Sequence, residues 1–261
     1  MNIDLTGKTA VITGGSGAIG MAMCEYYIQS GANVAVVDID RTKGEEAASQ
    51  LRKLGGNARY FFGDVSDGES MESMCAQVLD TFGGIEILVN NAGVNVGPQG
   101  RALIQDFTEE NWHKIMKVDL DGVFYCSRPV IRHMAARKYG RIINIASCVG
   151  QVPMRNQCAF TAAKAAVIHL TKTMAVELGA DGILVNCICP GSVIFEGTRA
   201  LFYADQERSE RMLAHIPLGR PAEPREIAGT AIFLSSDEMT YMTGSIITVD
   251  GGWTCGFARD F

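Results

Sequence analysis

A chain of 261 residues with 47% hydrophobic residues is long enough to bury a large core and too apolar to be disordered. Its net charge of −6, with no basic run, argues against a nucleic acid or an anionic membrane as partner. No apolar segment is long enough to span a bilayer, and Met1-Asn2-Ile3-Asp4 does not read as a signal peptide, so a cytoplasmic protein is expected.

The first apolar run, Lys8 to Thr13, reads as a buried strand. The glycine-rich turn GGSGAIG follows, then a helical pattern from Met21 to Gln29 that Gly31 ends. Asn33 to Asp38 is the next strand, which completes a βαβ unit within about 30 residues. In the turn, Thr13 and Gly14 make the bend. Gly17 and Gly20 allow close approach, and the amides around Ser16, Ala18 and Ile19 can hold a pyrophosphate at the helix start. Asp38, closing the second strand, suits an adenosine ribose 2′-hydroxyl and repels a 2′-phosphate. The next residue is the uncharged Ile39, so the expected cofactor is NAD.

Glu45 to Leu54 reads as an amphipathic helix and Ala58 to Phe62 as a third strand. Asp64 and Val65 end that strand. Asp64 can meet an adenine edge, cap a helix running from Met71 to Phe82, or do both. Ile85 to Val89 is a fourth strand, closed by Asn90, Asn91, Ala92 and Gly93, small enough for a cofactor to lie close or simply for a tight turn. A Gly/Pro loop over 97–105 leads to a long helix, capped by Thr108 and reaching about Arg128. That helix carries Asp119 among apolar neighbours, where a buried acid must be hydrogen-bonded or neutral.

Ile142 to Ala146 is a strand that runs into Ser147. A loop with Arg155, Asn156 and Gln157 then enters a helix that holds Phe160 and Lys164 four residues apart, on one face. A hydroxyl at a strand end and an ammonium on the facing helix can surround a reacting oxygen. Ile183 to Ile188 is a sixth strand, broken by Pro190-Gly191. The polar stretch Ser192 to Ile216 reads as a lid, or else as a pair of surface helices. A helix from Glu223-Pro224 to Leu234 and a last strand, Ser245 to Val249, complete the pattern. Seven strands alternating with six helices and no composition break argue for one doubly wound parallel α/β sheet over 1–261, with ligand sites at the carboxyl strand ends. The eight cysteines form no Cys-x-x-Cys pair and the four histidines no ligand spacing, so reduced thiols and no metal site are expected. Cys187 and Cys189 are expected to point to opposite faces of their strand.

Taken together, TGGSGAIG at 13–20, Asp38, Asp64-Val65, NNAG at 90–93, NIAS ending at Ser147, Lys164, Pro190-Gly191 and VDGG at 249–252 resemble the classical short-chain dehydrogenase/reductase family over nearly the whole chain. The resemblance implies a single-domain Rossmann-type fold, a nicotinamide cofactor that Val193 and the Pro190-Gly191 turn also touch, and a homotetramer. It implies that Ser147 orients the substrate oxygen and that Lys164 binds the nicotinamide ribose. It also implies a tyrosine as general acid/base, where Phe160 stands, and an asparagine, where Asp119 stands. The threonine expected beyond the Pro-Gly turn is Phe195, with Thr198 nearby.

A developing alkoxide needs a proton that phenylalanine cannot give, which costs about 10²–10⁴-fold or more. Two origins of Phe160 compete. One is a Tyr-to-Phe replacement that traps substrate, preferred because Ser147, Lys164, Asp38 and the glycine turn are intact. The other is a natural NAD-binding sensor or sluggish enzyme. Arg155 and Asn156 are expected to grip a small polar substrate, a sugar, polyol or hydroxy acid, with Arg155 binding a carboxylate. Phe195 and Phe202 can supply apolar walls, which would instead suit a steroid-like or 3-oxoacyl substrate.

Overall fold

Short runs of Val, Ile and Leu that must be covered on both faces form parallel strands when helices alternate with them. Here they are β1 (Thr9–Thr13), β2 (Asn33–Asp38), β3 (Ala58–Phe62), β4 (Ile87–Asn90), β5 (Gly140–Ile145), β6 (Ile183–Pro190) and β7 (Ile246–Val249). They build one parallel sheet in the order β3-β2-β1-β4-β5-β6-β7. The computed structural model describes residues 3–97, 100–203 and 205–256, without the side chains of 200–202. The strand order reverses between β1 and β4, which opens a crevice at their carboxyl ends.

The helices are α1 (Ala18–Gln29), α2 (Arg41–Lys53), α3 (Gly68–Phe82), α4 (Glu109–Met116), α5 (Gly122–Arg137), α6 (Cys158–Leu178), α7 (Glu196–Phe202), α8 (Gln206–Leu213) and α9 (Pro224–Ser235). One core layer joins Ile12, Val34 and Val36 to Met23 and Tyr27 of α1 and Ile227 of α9. The opposite layer joins Val11, Val37 and Leu88 to Met71 and Met74 of α3 and Val130 and Met134 of α5. Successive strand residues feed opposite layers, as the period of two requires. The hydroxyls of Tyr27 and Ser235, 2.7 Å apart, fasten α1 to α9.

A polar ladder crosses the second layer. Asn90 Nδ2 donates to Ser127 Oγ (3.0 Å) and to Asn144 Oδ1 (2.8 Å), and Asn144 Nδ2 donates to Thr171 Oγ1 (3.0 Å). All four residues are buried, so the bonds offset most of what their amides and hydroxyls lose on leaving water.

Several expectations need correction. The described residues hold nine α-helices rather than six, because the stretch 192–216 folds into α7 and α8 and the long helix after Thr108 is interrupted. A single π turn, Lys117–Asp121, separates α4 from α5, and the helical run reaches Arg137. Helix α2 starts at Arg41, where Asp40 accepts a bond from the Lys43 N–H. Helix α3 starts at Gly68 and is capped by Asp67, not Asp64. Asp64 folds back on Ser66 instead, accepting from its N–H (2.9 Å) and hydroxyl (2.7 Å). Cys187 and Cys189 share one face of β6, their Sγ atoms 4.0 Å apart, because residues two apart on a strand point the same way. Hydrogen bonding from Cys187 and burial push the Cys189 thiol up.

Candidate active site

The glycine turn is shaped by close approaches that only glycine allows. A side-chain carbon on Gly20 would meet the Gly14 carbonyl oxygen at 2.1 Å, so α1 can seat itself against the turn only without one. Gly14, at φ +61, lies against Ala92. Thr13 accepts from the N–H groups of Asn91 and Ala92, both at 3.0 Å, and Asn91 Nδ2 donates to the carbonyls of Thr13 (2.9 Å) and Gly14 (3.2 Å). The ends of β1 and β4 are thereby locked together. Helix α1 receives no side-chain cap from Gly17, and its first turn carries no acid. Gly17 and Ala18 are exposed, so the amides of this turn are open to an anion from outside.

Asp38 lies at the end of β2 beside that turn. Its Oδ2 accepts from the Ser16 hydroxyl (2.6 Å) and N–H (3.1 Å), and its Oδ1 accepts from the Asp40 N–H (3.1 Å). Ile39 is exposed, while Val65 is buried against Gly122. The turn, Asp38 and the small residues 91–93 lie along one strand edge, an arrangement that fits a dinucleotide laid across the crevice.

The chemistry-bearing side chains meet in a cleft of about 450 Å³. Ser147, Phe160, Lys164 and Asp119 all line it. The Lys164 ammonium is 2.9 Å from Asp119 Oδ1 and donates to the Ile145 carbonyl at 3.2 Å. Asp119 is fully buried, and its Oδ2 accepts from the Val94 N–H at 2.9 Å. The π turn carries Asp119 into this position. Gly93 is small of necessity, since a side-chain carbon there would lie 2.8 Å from Asp119 Oδ1 and 3.4 Å from the Lys164 ammonium. The Phe160 ring centre lies 5.5 Å from that ammonium. Ser147 Oγ makes a long 3.4 Å contact with the Pro190 carbonyl.

Ile19, Asn91, Gly93, Pro190, Gly191 and Val193 also border the cleft. Gly191 has no room for a side chain against Asp250. Phe195 borders the cleft too and stands just before α7. Phe202 closes α7, and its side chain lies outside the described residues. Arg155 is exposed and lines a neighbouring chamber rather than this cleft. Asn156 lines neither of these cavities and holds a left-handed turn at φ +64.

Sequence reasoning missed Arg101 and Asn95, both of which line the cleft. Buried Gln157 ties them together. Its Oε1 accepts from Asn95 Nδ2 at 2.8 Å and makes a weaker 3.4 Å contact with Arg101 Nη2. Burial lowers the pKa of Arg101. The Gly/Pro character of 97–105 pointed only to a loop, and nothing local shows that it folds back over the cleft.

Comparison with known proteins places these features in a family context. The sequence model of the family described as enoyl-(acyl carrier protein) reductase matches residues 14–254. The 3-oxoacyl-[acyl-carrier-protein] reductase FabG of Vibrio cholerae is 38% identical over 251 residues, covering 96% of this chain and 98% of that protein. Galactitol 2-dehydrogenase of Rhizobium johnstonii is 38% identical over 253 residues, covering 96% of each. The crystal structure of a gluconate 5-dehydrogenase from Burkholderia cenocepacia, in complex with NADP and tartrate, superposes with a TM-score of 0.92 at 34% identity and 97% coverage of both chains.

Proposed function

The chain belongs to the classical short-chain dehydrogenase/reductase family of oxidoreductases, and we propose that it interconverts a secondary alcohol and a ketone with NAD(H) on a small polar substrate. The observation that carries this reading is the convergence of Ser147 and Lys164 on one cleft beside the glycine turn. The names of two similar proteins, a galactitol and a gluconate dehydrogenase, favour a sugar, polyol or hydroxy acid. The similarity to FabG keeps a 3-oxoacyl substrate as the competitor.

The turn amides from Gly14 to Gly20 would hold the dinucleotide's diphosphate, and Asp38 its adenosine ribose. When bound, the nicotinamide ring supplies or accepts the hydride at the substrate carbon. Ser147 donates a hydrogen bond to the substrate oxygen and fixes the carbon's approach. Lys164, held by Asp119 and the Ile145 carbonyl, presents its ammonium to the ribose hydroxyls. Phe160 fills the ring-shaped slot without offering a proton, so turnover is slow while binding survives.

Asp38 supports NAD over NADP by like-charge repulsion of a 2′-phosphate, although the gluconate 5-dehydrogenase was solved with NADP. A homotetramer in the cytoplasm, built as one domain with α7 and α8 as lid, completes the proposal. The alternative is a non-catalytic NAD-binding sensor, which Phe160 and the pairing of Lys164 with Asp119 favour.

One paired experiment tests the reading. NADH and NADPH binding is measured by calorimetry for the chain and for Phe160→Tyr, and both are then assayed against ketones, sugars, hydroxy acids and a 3-oxoacyl thioester. Binding by both with turnover only in the variant supports the dehydrogenase, and the reacting compound names its class. Binding by both with no turnover on any compound favours the sensor. Binding of NADPH alone refutes the assignment of Asp38.

A further inference from the structure

Beside the catalytic cleft lies a second chamber of about 420 Å³. The two cavities share Cys148, Val149, Met154, Met212 and Trp253 as a common wall, so a ligand in one is in contact with the boundary of the other. The chamber's far side is basic. Arg155 reaches it from the loop before α6, Arg208 and Arg211 stand three residues apart on one face of α8, and His215 follows that helix. No acidic residue lines it among the described residues. Glu207 and Asp205 lie 3.7 Å and 3.8 Å from Arg211 and Arg208 respectively, but neither borders the chamber. Apart from Thr254, the remaining walls, Val152 and Pro153 among them, are apolar.

On the reading of this chain as a dehydrogenase, we propose that the chamber receives an anionic group, phosphate or carboxylate, at the far end of the substrate whose reacting carbon lies at Ser147. The substrate class is then an alcohol or ketone with an oxyanion carried on a short carbon arm. Guanidinium groups from two separate elements offer forked donors that match the oxygens of either anion. The apolar wall, Val152, Pro153 and Met154 among it, accommodates the arm. A chain with a net charge of −6 repels anions at long range, so attraction here comes from the local lining. The arginine expected from sequence to grip a carboxylate, Arg155, keeps that role one cavity further from the reacting centre.

The test uses the chamber's own reporter. Trp112→Phe leaves Trp253 as the sole tryptophan of the two in the sequence. This protein is titrated with inorganic phosphate, malonate and sorbitol at constant ionic strength, and the same titrations are followed by calorimetry. The expected result is saturable binding of phosphate or malonate with a change in Trp253 emission, and none of sorbitol. Whichever anion binds tighter identifies the group. Adding Arg155→Ala and Arg211→Ala, both exposed positions, raises the Kd about tenfold or more, and Arg211→Glu alone raises it at least as far. The proposal is overturned if neither readout detects a saturable anion, or if binding is unchanged in those variants. NADH calorimetry on the same proteins separates the two claims. NADH binding without anion binding sinks the chamber alone, whereas anion binding without NADH binding sinks the dehydrogenase reading alone.

Discussion

Lys164 and Asp119 form a buried ion pair, with 2.9 Å between ammonium and carboxylate and both side chains nearly inaccessible to water. Removing one partner leaves the other charge buried alone. Lys164→Met or Asp119→Ala is therefore expected to cost about 3–5 kcal/mol. Thermal unfolding should show this as a fall of about 6–20 °C. The double variant Asp119→Ala/Lys164→Met should lose less than the sum of the two. Additive losses would show that the pair is not coupled.

The same pair governs what a phenol could do at position 160. In Phe160→Tyr the ammonium would lower the phenol pKa, while the Asp119 carboxylate would raise it again. Turnover should rise by about 10²-fold or more, and alcohol oxidation should climb with pH through the phenol pKa. Adding Asp119→Asn removes the opposing charge, so that climb should move to lower pH by about one unit. A pH–rate profile that stays put, or moves upward, would rule out this electrostatic coupling.

Asp38 has two roles that can be separated. It holds Ser16, and on the proposed reading its charge would repel a 2′-phosphate. Asp38→Asn keeps an acceptor for Ser16 and removes the charge. The ratio of NADH to NADPH affinity is expected to fall about tenfold or more, with little change in Tm. Equal affinities before and after the change would assign cofactor choice elsewhere.

Glu226, in the first turn of α9, gives a pH test of stability. Two Arg220 guanidinium bonds, at 2.7 and 2.8 Å, and the Glu223 N–H hold its carboxyl down at about 2. A depressed carboxylate pKa stabilises the fold above its unfolded value, near 4.3, and that contribution is lost as pH falls toward about 2. Because the side chain is a third exposed, Glu226→Gln should cost about 1 kcal/mol or less at neutral pH, or up to about 4 °C in Tm. The gap between the two proteins should shrink from about pH 5 downward. A gap that widens in acid would contradict the assignment.

The strands and the glycine turn were legible because their signals are local: apolar runs, glycines at fixed offsets and an acid closing β2. Ser147 and Lys164 were legible for the same reason, each sitting on an element that reads plainly. Features that depend on distant packing were not. Gln157 joins Asn95 to Arg101 across more than 50 residues of chain, and no pattern within a window shows that. Asp64 resembled a helix cap because Asp, Ser and Gly recur through 64–70, and only the bonds to Ser66 and Ser70 distinguish it from Asp67. The π turn at Asp119 adds a residue to the helical run between α4 and α5, and it carries no glycine or proline to mark it. The placement of Cys187 and Cys189 was an error of period, not of missing information.

The ladder of Asn90 and Asn144 bears on how the sheet finds its alignment. Strand β4 is Ile, Leu and Val up to Asn90, β5 sets Ile142, Ile143 and Ile145 around Asn144, and both strands are buried throughout. Sliding one past the other by two residues would still pair Ile87 with Ile143 and Val89 with Ile145, but would set Leu88 against Asn144. The Asn90–Asn144 bond forms only when these two residues stand opposite each other, as they do here. Any offset would break that bond and leave the buried Asn144 carbonyl without its donor, a penalty of about 1–3 kcal/mol. Two buried asparagines thus act as a key that rejects misaligned pairings which greasy neighbours would accept.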